Sequence, residues 1–69
     1  MNIVRKKYDL ACARACLSTK DVAMKAGIPR ATVDTCLKRG SASVSTIGKI
    51  AKAIGVDVTE IIDTQEVQP

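Results

Sequence analysis

Side chains able to do chemistry gather between Thr19 and Arg39. Thr19, Lys20, Arg30, Thr32, Asp34, Thr35, Lys38 and Arg39 bring hydroxyls, cations and a carboxylate into one short stretch. These are groups that hold a partner by hydrogen bonds and charge. Bond-breaking chemistry lacks its parts: there is no His, no glycine-rich phosphate loop and no base beside a nucleophile, so an enzyme is not expected. The three cysteines, Cys12, Cys16 and Cys36, include no tight Cys-x-x-Cys pair. Cys12 and Cys16 stand one helical turn apart, so a thiol metal site or redox switch is conceivable. Small buried hydrophobes are the simpler use of them, and no metal or cofactor is expected. An odd thiol count without a secretion signal fits reduced cysteines in a cytoplasmic protein.

The charge is uneven. Residues 1–40 hold nine Lys/Arg against three acids, a net of +6, and residues 41–69 hold two against four, a net of −2. A basic half beside a mildly acidic half suits one face turned to a polyanion, although solvated helix lysines would read the same way. The 69 residues make one domain, and a domain this small buries only about 60% of the surface its unfolded chain exposes. Leu, Ile and Val number 17, Phe and Trp are absent, and Tyr8 is the lone aromatic, so the core must be aliphatic. No apolar run approaches the ~18 residues that would suggest a membrane span.

Five helical patterns position those side chains. The first runs from Asn2 or Ile3 to Cys16, with Val4, Tyr8, Ala11, Cys12 and Ala15 at helical spacing. Ser18-Thr19-Lys20-Asp21 is a capping-box sequence that opens a second helix with Val22, Ala23 and Ala26 on one face. Gly27 stops it, and Pro29 suits the first position of a third helix whose inner face is Val33, Cys36 and Leu37. Gly40 ends that helix after Lys38 and Arg39. A fourth runs from Ser43 as cap to Gly55, with Val44, Ile47, Ile50, Ala51 and Ile54 as its apolar stripe. Asp57-Val58-Thr59-Glu60 repeats the capping pattern for a fifth, short helix carrying Ile61 and Ile62. No run alternates long enough to argue for a strand. The expectation is an all-α fold, a compact five-helix bundle in one domain over residues 1–62, with a flexible polar tail over 63–69.

Thr19 to Lys38 holds two helices of about eight residues with Gly at the joint. Helices crossing at ~90–120° bring their backbones close, which demands a small residue where they cross and a positive φ in the turn. Ala23 and Gly27 satisfy both, and Val22, Ala26, Ile28, Val33 and Cys36 are the apolar positions that would hold the pair together. This is a helix-turn-helix pattern. From Leu17 to Val33 it resembles the helix-turn-helix of phage Cro and repressor proteins and their bacterial relatives. The resemblance continues through Ser43–Ile47 and Lys49–Ile62. It implies a five-helix DNA-binding domain that usually acts as a dimer on a two-fold operator. Three departures stand out. Thr19 occupies a position where the family commonly has Gln, Pro29 replaces the usual Ser-like cap, and the link from Val33 to Gly40 is one residue longer than in the commonest form.

A recognition helix starting at Pro29 turns Arg30, Ala31, Asp34 and Thr35 to the bases of the major groove. The Arg30 fork matches guanine O6/N7, a phosphate contact being its alternative use. Ala31 and Thr35 could meet a thymine methyl. Asp34 either accepts from cytosine, pairs with Arg30 at i, i+4, or opposes deep insertion. Thr19, Lys20, Thr32, Lys38, Arg39 and Arg14 are the candidate phosphate contacts, and Arg5-Lys6-Lys7 either joins them or stays solvated. The small interface of one such domain favours a homodimer through the C-terminal segment, with Val56, Val58, Ile61, Ile62 and the tail as its surface, although Ile61 and Ile62 could equally close the core. The expected role is a small regulator, a repressor of phage, plasmid or mobile-element type working by promoter occupancy. An antitoxin-like protein-interaction subunit is the other reading, favoured by Asp34. No small-molecule effector site is evident in the sequence.

Overall fold

The computed structural model describes residues 1–63, so the tail expected over 63–69 lies outside the described residues beyond Asp63. Asp63 itself is tied down, its amide donating to the Asn2 carbonyl at 3.1 Å. Four α-helices follow one another: α1 (Arg5–Ala15), α2 (Thr19–Ala26), α3 (Arg30–Arg39) and α4 (Val44–Ile54). The expected fifth helix is a three-residue 3₁₀ turn, Val58–Glu60. Here the Asp57 carboxylate accepts from the amide and the hydroxyl of Thr59, both at 3.0 Å. That is a turn two residues long in place of the reciprocal box that would launch a helix.

The first helix starts later than the apolar spacing suggests. Ile3 donates its amide to the Gly40 carbonyl at 3.0 Å and Val4 donates to that of Ile61 at 2.8 Å. Asn2 and Ile3 also pair in single antiparallel bridges with Ser41 and Ile62. The chain start is therefore an extended strap between the loop after α3 and the C-terminal segment. At the far end of α1, Cys16 lies outside the helix as a left-handed cap with φ 56°. It is exposed, and so is not the core filler expected of all three cysteines.

Each later helix stops at a glycine in the left-handed conformation. The turn that matters for function is Gly27, at φ 71°, where the Ile28 amide reaches back to the Ala23 carbonyl at 3.1 Å. A Cβ at that φ would clash with the following carbonyl oxygen. Pro29 is the residue before α3 rather than its first helical position.

The core is aliphatic around one buried ring, that of Tyr8. Val22, Val33, Ile47, Ile50, Ile61 and Ile62 are all fully buried, and Ala23 is buried in the same cluster. Both Ile61 and Ile62 are spent on this core, which removes them from the expected dimer surface. Val58 and Val56 pack half-buried at its edge. Val44, expected on the apolar stripe of α4, is 66% exposed because it is the first residue after the Ser43 cap. Cys36 is buried but stands outside the central cluster, against a cavity described below.

Candidate nucleic-acid interface

The start of α2 is settled internally. Ser18 Oγ accepts the Asp21 amide at 3.2 Å, and the Asp21 carboxylate accepts the Ser18 amide and hydroxyl, each at 3.0 Å. These bonds, the backbone one first, hold the exposed Asp21 carboxyl below its ordinary value. A helix end already answered by its own carboxylate has little left for a phosphate. Beside it, Thr19 is half-buried, with its Oγ1 accepting a hydrogen bond from the Tyr8 hydroxyl at 3.2 Å. The Thr19 hydroxyl proton thus stays free to be donated outward. Burial pushes the Tyr8 phenol up to about 12, and burial likewise raises the neighbouring Cys12 thiol.

Helix α3 is built the other way. Val33, Cys36 and Leu37 face inward, and Arg30, Ala31, Thr32, Asp34, Thr35, Lys38 and Arg39 are all exposed. Helical spacing sorts this outer surface into two rows. One is charged, Arg30–Asp34–Lys38. The other is small and ends in a cation, Ala31–Thr35–Arg39. Arg30 Nε lies 3.7 Å from Asp34 Oδ2, with the two side chains 62% and 51% exposed, so the pairing expected at this spacing is present but open to water. Thr35 Oγ1 donates to the Ala31 carbonyl at 2.8 Å, so toward a partner its hydroxyl acts as an acceptor. No side chain caps the start of α3 and its first turn carries no acid.

The sequence-predicted residues therefore fall into three groups. Arg30, Ala31, Thr32, Asp34, Thr35, Lys38 and Arg39 share one helix surface. Thr19 and Lys20 stand at the start of α2, which packs against α3. Arg14 is elsewhere: it shares a shallow recess with Lys7, Leu10 and Glu60 at the seam of α1 and the 3₁₀ turn. Sequence reasoning missed the part played by Tyr8. A single aromatic hydroxyl in an aliphatic core needs a polar partner, and that was the available signal.

Two short helices joined by Gly27, one braced and one presenting an unclaimed basic surface, are the geometry of a helix-turn-helix. A family model of the Cro/C1-type HTH DNA-binding domain matches residues 8–66. The chain belongs to this family. No curated protein and no solved structure matches it. As a Cro/C1-type domain it binds double-stranded DNA, and α2 and α3 are its helix-turn-helix pair. Within the described residues no helix is long and apolar enough to cross a membrane.

Proposed function

We propose that this Cro/C1-type domain is a sequence-specific transcriptional regulator, a cytoplasmic repressor of phage, plasmid or mobile-element type that works by occupying promoter DNA. The outer surface of α3 carries the reading. Seven consecutive-turn side chains there are exposed, and none is needed for the core. Arg30, Ala31, Asp34 and Thr35 are its base-reading positions, Asp34 acting there through its pairing with Arg30 and not by a bond of its own to a base. Thr19, Lys20, Thr32, Lys38 and Arg39 hold phosphates on either side, with Arg14 as an outlying contact. Residues 1–62 form the working domain. Because one module of this size covers only ~600–1,000 Å² of DNA-facing surface, the regulator acts as a homodimer on a two-fold operator. With Ile61 and Ile62 in the core, Val56 and Val58 and the tail are what remains of the proposed dimer surface.

The test is selection of bound duplexes from a random library, with Arg30→Ala run in parallel. A two-fold motif whose preference at one position relaxes in the variant supports both the dimer and Arg30 on a base. No enrichment with the protein folded rejects sequence readout and turns the search to a protein partner.

A further inference from the structure

A cavity of about 440 Å³ opens beside α3, within the ~300–1,000 Å³ typical of small-molecule sites. Its walls come from three separate segments: α3, the loop 41–43 and the chain start. The Ala42 amide donates to the Met1 carbonyl at 3.0 Å and the Ile3 amide to that of Gly40, so the far wall is pinned by backbone bonds. Cys36, 8% exposed, also lines it, its thiol without a hydrogen-bond partner among the described residues and with no place in the central core.

The chemistry of the lining selects a ligand class. Ser43 Oγ donates to Thr46 and accepts its amide, and Thr35 donates to Ala31. Neither hydroxyl has a proton left for a ligand. The donors that remain are the Arg39 guanidinium, the Thr32 and Ser41 hydroxyls and the Met1 ammonium, which gives one of its protons to the Ala42 carbonyl at 3.2 Å. Among the described residues no Asp or Glu lines the cavity, and Arg39 has no carboxylate partner. The methyls of Ala31 and Ala42 and the Cys36 thiol complete the lining. Two cations and two hydroxyls beside these apolar groups, with no carboxylate among them, suit a compact apolar body bearing a carboxylate.

We propose that this cavity binds a small organic carboxylate and that its occupancy opposes DNA binding. The second half rests on the reading of α3 given above, because Ala31 and Thr35 line the cavity and also belong to the base-reading surface. A backbone phosphate offers the same anionic oxygens to Arg39 but has no apolar body for the methyls and the thiol.

The test titrates the full chain with benzoate, inorganic phosphate and neutral benzyl alcohol at matched ionic strength. Amide shifts of Ala31, Cys36, Arg39 and Ala42 are followed by NMR. Benzoate is expected to give saturable shifts at these four positions, and Arg39→Gln to raise the half-saturating concentration about tenfold, the loss of one charge-assisted bond. Ala42→Leu, which fills the cavity from outside the DNA-reading surface, should abolish the shifts while DNA binding persists. Benzoate should weaken DNA binding by the wild-type chain but not by Ala42→Leu. Shifts equal for phosphate, equal for benzyl alcohol, or absent throughout would overturn the site. Saturable shifts with unchanged DNA binding leave the site standing and overturn only its link to α3.

Discussion

Asp34 is the one acid on the outer surface of α3, and neutralising it should tighten DNA binding. In Asp34→Asn, two terms change. The Arg30–Asp34 contact spans 3.7 Å between side chains more than half exposed. An exposed pair of that kind is worth about 0.2–1 kcal/mol, and releasing Arg30 returns roughly half of that range to DNA contact. The second term is repulsion: at ~8 Å a carboxylate and one phosphate oppose each other by about 0.5 kcal/mol in water, cut to roughly 0.2 by salt near physiological strength. With ~4 phosphates in range, the two terms sum to about 1 kcal/mol, or roughly fivefold in affinity. With the freed Arg30 on a base and not on a phosphate, the slope of log K against log salt should stay near roughly −3.6 for ~4 neutralised phosphates. Fluorescence anisotropy of a labelled duplex between 50 and 200 mM salt, at roughly the range over which such slopes are read, measures both quantities. Weaker binding of the selected site by the variant, with non-specific binding unchanged, would refute the reasoning and put Asp34 on a cytosine amino group.

Four further outcomes are expected. Ile61→Ala should cost about 2–5 kcal/mol from the filled core, the same loss relative to wild type at every protein concentration; a loss that varies with concentration would return Ile61 to an interface. Tyr8→Phe should lose about 1 kcal/mol and weaken DNA binding through Thr19. Since the folded Tyr8 lies at about 12 and the unfolded near ~10, its stabilisation is complete below pH ~10 and disappears as pH rises through about 12, a limb that urea titrations should find missing in Tyr8→Phe. Ser18→Ala should cost about 1 kcal/mol. It should also flatten the acid limb, because the depressed Asp21 carboxyl stabilises above its unfolded value near ~3.9 and loses that as pH falls through the folded one, as melts at neutral and acid pH would show. Pro29→Ser should leave stability nearly unchanged, a cap gain of about 1 kcal/mol being offset by the proline's ~0.4–1 kcal/mol effect on the unfolded chain, yet lower DNA affinity in the same anisotropy assay.

What was legible in the sequence is what local chemistry decides. Gly27, Gly40 and Gly55 end their helices because nothing else enters the left-handed cap so cheaply. Ser18 and Ser43 begin theirs because their hydroxyls take an orphan amide. The Arg30–Asp34 pair follows from spacing alone. What was not legible depends on partners far along the chain. Ile3 and Val4 fit a helical pattern, but Gly40 and Ile61 claim their amides. Ile61 and Ile62 look like spare surface until the strap at residues 1–4 closes over them. The cavity has walls from residues 1, 31–39 and 41–43, and no periodicity in one segment reports on the other two.

Pro29 shows how a weak point in the sequence pattern becomes consistent in three dimensions. A Ser or Asp there would give α3 the cap that α2 and α4 have, worth about 1 kcal/mol. Proline offers no side-chain oxygen, yet its carbonyl still accepts the amides of Thr32 and Val33 at 3.0 and 3.4 Å, so the helix begins without a side-chain cap. The Arg30 and Ala31 amides are then left without a helical acceptor at the positive end of the dipole. They belong to the same two residues that begin the base-reading surface. At α2 the opposite choice was made, with Asp21 neutralising the helix start. Of the two helices, only α3 points an unanswered positive end outward, and a polyanion entering from that side is the partner that would answer it.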